Sequence, residues 1–420
     1  MGLKVRLFAG MGLGFLLLGF LSCTTTATAN GTLLVVTSNN VVTSFLVALS
    51  DGAVTAVNAT APTGVAPVAA LLSSDGNQLF VLNQGDNTIS AYKVNSDGSV
   101  TAAGSATPTN SAFSVSSPCA SIGDGTTSNP VAMTMDSAGH LFVANSGTTG
   151  SPGDPSTMHA GAVSVFAVSG TSLSEVPGSP FCTLLPSEVS AGQVTNSPSA
   201  VAVTPDAKYL YAASLIDKTV ISYSVDSSGA ITEILQRQNV GTNPSGLIIV
   251  SAPNSTNPQG EFLYVANAGS NNVSGFAICD AVVVSCANPN EPDGSLTEVS
   301  NSPFSAGIGP MAMAASPDGQ FLFVVNAQSN QISQFKVSVG TGALVANTQA
   351  AIGTGGNPVS IAIRLGTTII SSTNGTEDFV FVMNRGGATM FSYSFDSTLG
   401  QLTEITPTAT QGQPSAAVVK

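Results

Sequence analysis

The sequence has no tryptophan, only two histidines and few charged residues, and these shortages exclude several classes of function. Lysine and arginine together number 10 against 23 aspartates and glutamates, so the formal net charge is −13. Such a chain would repel the phosphate backbone of a nucleic acid, and it has few aromatic rings on which bases could stack. No Cys/His cluster has the spacing of metal ligands, so we expect neither a metal nor another cofactor.

The composition is nevertheless that of a folded protein. Hydrophobic residues make up 43% of the 420 residues, which is far from the composition of a disordered chain. The 43 glycines and 23 prolines are too few for a collagen or for a Pro/Gly-rich low-complexity chain.

The first 29 residues have the features of an export signal. Lys4 and Arg6 precede an apolar stretch over residues 7–21. The stretch is short for a transmembrane helix, and no later segment has roughly 18 uninterrupted apolar residues. We therefore divide the chain into a signal peptide, residues 1–29, and a mature domain, residues 30–420. We expect an extracytoplasmic bacterial protein that is periplasmic, outer-membrane-anchored or secreted.

Processing of this signal has two main alternatives. Ala27-Thr28-Ala29 fits cleavage after small residues in a secreted protein. The sequence Phe20-Leu21-Ser22-Cys23 resembles a bacterial lipoprotein box in which Cys23 would carry the lipid, although Phe20 and Leu21 depart from the usual pattern. In that case a lipid on Cys23 would be the membrane attachment. An uncleaved anchor is a third alternative.

Four cysteines remain after Cys23, an even number in an oxidising compartment. Six residues separate Cys279 from Cys286, so these two are expected to close one loop, which leaves Cys119 to pair with Cys182. The alternative is four buried free thiols.

Internal repeats organise the mature domain. An apolar strand followed by asparagine ends at Asn83, Asn145, Asn267 and Asn326, with looser copies at residues 380–384, 210–214 and 34–37. Each copy is followed by a second strand with a terminal aromatic, a third after a glycine turn, and a fourth that begins with proline. The seven units average about 56 residues.

Four short strands in a radially repeated unit are the signature of a β-propeller. We therefore predict an all-β fold, a seven-bladed β-propeller of four-stranded antiparallel blades. The first unit has no proline-initiated strand before it, whereas Pro414–Val419 is such a strand with nothing after it. The C-terminal strand is therefore predicted to join blade one as its innermost strand and to close the ring.

The repeats carry a family resemblance. Residues 316–326, Ser-Pro-Asp-Gly-Gln-Phe-Leu-Phe-Val-Val-Asn, and residues 263–267, Leu-Tyr-Val-Ala-Asn, resemble the YVTN-type repeats of bacterial surface propellers. The seven units, with ends such as Gly-x-Leu-Thr-Glu, are also similar to the lactonase-like propellers, the superfamily that includes 6-phosphogluconolactonase. This resemblance covers the whole mature chain and implies the fold, and as an activity it implies hydrolysis of a sugar lactone.

Candidate ligand-binding residues lie on the face where the Asn-ended loops meet the loops before each proline. Arg237 and Arg385 are the best anchors for an anionic or carbonyl group, and His159 is the candidate proton carrier. Asp154 and Glu188 complete the set, although each could be an ordinary surface residue. Three long loops, at about residues 103–129, 146–162 and 177–197, could form a disulfide-braced lip beside the channel, or could be variation in length without function.

The predicted channel lining argues against catalysis, because the proline-initiated strands carry no acid, base or metal ligand. Catalytic residues therefore stay unknown, and we cannot decide between enzyme and non-enzyme from them. We expect a binding or interaction scaffold of the cell envelope, a monomer whose partner is an envelope protein or a small-molecule ligand. The alternative is a lactone hydrolase of the 6-phosphogluconolactonase type.

Overall fold

A computed structural model describes residues 30–48, 51–122, 125–151, 154–192, 196–251, 261–280, 292–338, 340–364 and 377–420. The predicted signal peptide, with the lipidation candidate Cys23, lies outside these residues, as does Cys286. In the described part of the chain, no helix has the length and apolar character needed to cross a bilayer.

The chain forms the predicted seven-bladed β-propeller, and each blade has four main antiparallel strands. Every innermost strand begins with proline, whose missing N–H is tolerated at the first position of a strand. In blade order these strands are Pro414–Val419, Pro67–Leu72, Pro130–Met135, Pro198–Val203, Pro244–Ser251, Pro310–Ala315 and Pro358–Arg364.

The second strands are almost wholly buried, and each lies between the two neighbouring blades. Most of them end in asparagine. In blade order they are Asn30–Thr37, Gln78–Asn83, His140–Asn145, Tyr209–Ser214, Glu261–Asn267, Phe321–Asn326 and Glu377–Asn384.

The third and outer strands complete each blade. The third strands are Val41–Ala48, Thr88–Val94, Ala162–Ser169, Thr219–Val225, Asn272–Ile278, Gln331–Val337 and Thr389–Asp396. The outer strands are Val54–Pro62, Val100–Ala102, Ser172–Glu175, Ile231–Asn239, Leu296–Glu298, Leu344–Ala346 and Gln401–Glu404.

In five blades, a two-residue segment that follows the outer strand in sequence also pairs with the third strand. These are Thr107–Pro108, Phe181–Cys182, Phe304–Ser305, Ile352–Gly353 and Thr408–Ala409. A hairpin of Thr148–Ser151 and Asp154–His159 extends from blade three. Within the described ranges, two short helices span Pro118–Ser121 and Pro186–Ser190.

The C-terminal strand closes the ring as the sequence predicts. It pairs with the first strand of the described chain, with Leu33 opposite Val419 and Val36 opposite Ala416. The core consists of seven apolar clusters, one at each junction between neighbouring blades, including the junction of blade seven with blade one. The aromatic that ends each third-strand motif, such as Tyr92 or Phe276, is buried in these clusters.

Candidate functional site

A cavity of about 640 Å³ occupies the channel where the innermost strands begin. Its wall is formed by the first residues of these strands, and its mouth by the loops that follow the second strands. The lining residues are Val68, Ala69, Val131, Ala132, Met133, Ser199, Ala200, Val201, Leu215, Asn243, Pro244, Ser245, Gly246, Leu247, Ala268, Met311, Ala312, Met313, Val359, Arg385 and Ser415.

Arg385 supplies the charge in this central pocket. It directly follows Asn384, the last residue of a second strand, and its backbone N–H donates to the carbonyl of Asn357 at 3.0 Å. The same bond recurs around the ring, so each blade presents one residue at this position. These residues are Ser38, Gln84, Ser146, Leu215, Ala268, Ala327 and Arg385.

Of these seven equivalent residues, Arg385 alone is charged. Its side chain is half-buried, and among the described residues it makes no salt bridge or side-chain hydrogen bond. A guanidinium in a concave, largely apolar site can act as a donor to a carboxylate or to a developing oxyanion. The sequence-predicted anchor Arg385 is therefore placed in the pocket.

Two pocket serines, on blades four and five, are fixed by bonds between blades. Ser199 Oγ donates to the carbonyl of Pro244 at 2.6 Å, and Ser245 Oγ donates to the carbonyl of Pro310 at 2.8 Å. Their hydroxyl protons are used in these bonds, so toward a ligand each serine can offer its oxygen as an acceptor. Sequence reasoning missed both, although their position directly after the strand-opening proline marks them.

The asparagines that end the second strands are structural. Asn83 Nδ2 donates to Ser90 Oγ at 2.9 Å, and Asn145, Asn267 and Asn326 bond in the same way to a serine of the third strand. Asn83 Oδ1 also accepts from the backbone N–H of Gly64 at 3.1 Å. These asparagines thus join strand ends to side chains as well as to the backbone.

Arg237, the other predicted anchor, lies in a network of ion pairs on the outer strand of blade four. Its Nε is 2.8 Å from Glu233 Oε1, and its Nη1 is 3.0 Å from Glu188 Oε1. Burial works to lower the pKa of Arg237, but the carboxylates of Glu233 and Glu188 outweigh it and raise that pKa above its ordinary value. Glu188 also accepts the backbone N–H of Leu185 at 2.6 Å, so the pair fixes the short helix against blade four.

The remaining candidates lie on the extra hairpin of blade three. His159 ends this hairpin, and its Nδ1 is 3.3 Å from Thr126 Oγ1. Asp154 begins the second strand of the hairpin, and its side chain is not among those described. Neither residue is among those that line the central pocket.

The predicted disulfide between Cys119 and Cys182 is present, with Cα atoms 5.8 Å apart. Cys279 is also disulfide-bonded, and its predicted partner Cys286 lies outside the described residues. The first bridge joins two of the long loops around a small apolar cluster that includes Phe113, Ile122 and Leu184. No described residue of these loops lines the pocket, so the lip is a separate small core beside it.

In chemical terms the pocket is apolar with one cation. Within the described residues, no three His, Cys, Asp or Glu side chains are grouped so as to hold a metal ion. The pocket lining likewise contains no histidine and no carboxylate. What the arrangement can do is bind a group that carries negative charge, or that develops it, beside an apolar wall.

The family model described as "Lactonase, 7-bladed beta-propeller" matches residues 160–282 and 279–416. The chain belongs to this lactonase family. Comparison of the sequence with curated proteins gives no match.

Solved structures of similar fold extend over almost the whole of this lactonase-family chain. The periplasmic gluconolactonase of Pseudomonas aeruginosa is 21% identical, with a TM-score of 0.66, and the match covers 93% of this chain and 99% of that one. A proposed 6-phosphogluconolactonase from Bacteroides uniformis is 16% identical with a TM-score of 0.67 over 93% and 99% of the two chains. One from Bacteroides fragilis is 18% identical, with a TM-score of 0.65 over 94% and 99%. At these identities the likeness shows the fold.

The expectation of a non-catalytic binding scaffold is wrong, because the family match points to the lactonase alternative. The error has a physical reason. Sequence reasoning judged the channel by its proline-initiated strands, whereas the charged group of the pocket comes from the loop after a second strand, at Arg385. The pocket thus contains a charged group that its strands lack, and this agrees with membership of the lactonase family.

Proposed function

We propose that the protein hydrolyses a lactone in the central pocket, with Arg385 as the catalytic residue. The observation that carries the proposal is the position of Arg385, an arginine without an ion-pair partner among the described residues, in the pocket between the innermost strands of a lactonase-family propeller. The names of the gluconolactonase and of the two proposed 6-phosphogluconolactonases support a cyclic ester as substrate.

In the reaction, water adds to the lactone carbonyl and the ring C–O bond breaks, which gives one hydroxy acid. The carbonyl oxygen becomes negatively charged in the tetrahedral intermediate, and the Arg385 guanidinium would stabilise that charge by donating hydrogen bonds. Water supplies the nucleophile and its proton goes to the leaving alkoxide. Since no lining residue among those described is a carboxylate or histidine, the rate should rise with hydroxide concentration and show no plateau near neutral pH.

The test is hydrolysis of glucono-δ-lactone and of simple δ-lactones by the purified protein, with each rate corrected for the uncatalysed reaction. Arg385→Gln should lower kcat by about 10²-fold or more, as for removal of an oxyanion donor. Lys336→Gln, at an exposed position on blade six, is the matched control for loss of one positive charge. Absence of turnover for all the lactones, or equal turnover by Arg385→Gln, would contradict the proposal.

We also propose that the protein acts outside the cytoplasm. Support comes from the signal-like residues 1–29, from the Cys119–Cys182 disulfide and from the periplasmic location named for the Pseudomonas aeruginosa protein. Mass spectrometry of the protein from cell fractions tests this. A diacylglyceryl group on Cys23 would indicate a lipoprotein, an N-terminus at Asn30 a secreted protein, and an intact N-terminus in the cytoplasm would contradict the proposal.

A further inference from the structure

Most of the residues that line the central pocket are apolar. The residues directly after the strand-opening prolines are Val68, Val131, Met311 and Val359 in four blades and serine in the other three. Alanines and Gly246 form the next layer, followed by Met133, Leu247 and Met313. A ligand in this pocket therefore meets mainly hydrocarbon.

Exposed apolar side chains also lie on the face of the propeller where the pocket opens. In the described part of the chain, eight large hydrophobic residues are exposed, and five of them lie on the face where the pocket opens. Two of these five, Leu215 and Met311, line the pocket itself. The five are Val65 at 53%, Ile308 at 53%, Ile216 at 47%, Leu215 at 38% and Met311 at 37%. Backbone bonds place them there, since Val65 and Ile308 lie in loops before innermost strands and Leu215 and Ile216 follow a second strand. Exposed apolar residues grouped around a pocket mark a binding surface for an apolar group.

Few polar groups are available for a hydroxylated ligand. The uncharged polar residues of the lining are Ser199, Ser245, Ser415 and Asn243. The three serine hydroxyls already donate to backbone carbonyls, those of Pro244, Pro310 and Val36. Asn243 and Arg385 are then the side-chain donors of the lining. A ring with several hydroxyl groups would lose its water and find few partners, which disfavours binding. The same wall favours methylene groups, because burial of hydrocarbon is the main source of affinity in such a site.

We infer that the substrate is a lactone that carries an aliphatic chain, with its ring carbonyl at Arg385 and its chain against the apolar wall and mouth. This inference rests on the proposed lactonase function, which it narrows from cyclic esters in general to amphiphilic ones. Arg385 recognises the carbonyl or the product carboxylate, and the apolar residues recognise the chain.

The first experiment compares three six-membered lactones, each rate being expressed relative to its uncatalysed hydrolysis. δ-Valerolactone has the ring alone, δ-decalactone adds a pentyl chain, and glucono-δ-lactone adds hydroxyl groups. Full burial of a methylene is worth roughly fourfold, so burial of about half of the pentyl chain should make kcat/KM for δ-decalactone exceed that for δ-valerolactone by about 30-fold. Glucono-δ-lactone should be the poorest of the three. Equal values for the first two, or a preference for glucono-δ-lactone, would overturn the inference while leaving the lactonase proposal intact.

Variants locate the chain. Leu215→Ser and Met311→Ser should each raise KM for δ-decalactone several-fold and leave the kinetics of δ-valerolactone nearly unchanged. Val345→Ser, which removes a 57% exposed apolar side chain from the outer strand of blade six, is the matched control and should change neither. Loss of the chain preference in the Val345→Ser control, or its retention in both mouth variants, would overturn the assignment.

A binding measurement separates the two proposals if no lactone is hydrolysed. Calorimetry with decanoate and with gluconate tests the pocket without chemistry. Binding of decanoate alone, weakened by Leu215→Ser and by Arg385→Gln, would support an amphiphile site and would refute only the lactonase function. Absence of decanoate binding, or tighter binding of gluconate, would overturn the inference itself.

Discussion

The side-chain oxygen of Asn330 accepts a hydrogen bond from the backbone N–H of Asn357 at 2.7 Å, and this bond ties blade six to blade seven on the pocket face. Asn330 and Asn357 have φ angles of 54° and 53°, in the left-handed region. The corresponding bond joins Asn40 to Ala66, Asn87 to Asn129, and Asn271 to Gly309. Because asparagine tolerates this backbone better than most residues, one side chain both makes the turn and holds the next blade.

Replacement of Asn330 by alanine should therefore lower the free energy of unfolding by about 2 kcal/mol. Roughly 1 kcal/mol comes from the lost hydrogen bond. About 1 kcal/mol more is expected because alanine lacks the short polar side chain that helps asparagine to adopt a positive φ. Urea denaturation followed by fluorescence or circular dichroism measures the change. Asn330→Gly is the control that keeps the backbone relaxed, and it should show only the first part. A variant Asn330→Ala as stable as the parent would show that the tie contributes nothing.

Arg237 should matter for stability and not for the pocket. Arg237→Met leaves Glu188 and Glu233 without their partner in a site where all three side chains are largely buried. Loss of one partner of a buried pair costs about 3–5 kcal/mol, and the partial exposure here reduces that to about 2 kcal/mol.

Chemical denaturation measures this loss, and the double variant Arg237→Met with Glu233→Gln should recover part of it. The KM for a hydrolysed lactone should stay unchanged in Arg237→Met, because Arg237 does not line the pocket. A raised KM would instead restore Arg237 as the ligand anchor that its sequence position suggests.

The fold was predictable because its signals repeat along the sequence. Contacts between residues that are distant in sequence were not predictable. The prolines that open each innermost strand gave the blade count, and the lone strand after Pro414 gave the closure. The pairing of Arg237 with Glu188 joins residues 49 positions apart, and no local pattern indicates it.

The pocket illustrates the same limit. Leu215 and Arg385 are equivalent positions in the repeat, yet aligning them requires the exact end of each second strand. Both residues line the same pocket only because the ring is closed, and the same holds for the exposed Leu215 and Met311. The ties made by Asn330 and its equivalents depend on left-handed backbone conformations that Asn adopts only in some sequence contexts.

Deletion of residues 414–420 should abolish the folded monomer. This segment pairs with residues 33–37 as the innermost strand of blade one, and Ala417 is part of the core between blades seven and one. Its loss would leave an unpaired strand edge and apolar surface open to other chains. Size-exclusion chromatography should show aggregates or unfolded chain.

Deletion of Lys420 alone is the control. It removes the backbone bonds to Thr32 and the Nζ bond to Asn77, and it should leave a monomer with slightly reduced stability. A monomer of native stability after the longer deletion would contradict the role of the tail as closing strand.

Glu261 should destabilise the fold at neutral pH. Burial raises the pKa of its carboxyl above the ordinary value, and the nearby Asp206 raises it further. A carboxyl whose pKa is higher in the folded than in the unfolded state favours folding when it is protonated. That contribution is fully present below the ordinary pKa of the carboxyl and is lost as the pH rises through the raised pKa.

Glu261→Gln should therefore stabilise the protein at pH 7, by up to about 1 kcal/mol after screening by solvent, and should have little effect near pH 4. Thermal unfolding across this pH range measures the difference, with Glu298→Gln at an exposed position as the control for loss of one negative charge. A stabilisation that is the same at both pH values would show that the effect comes from packing of the glutamine and not from titration of Glu261.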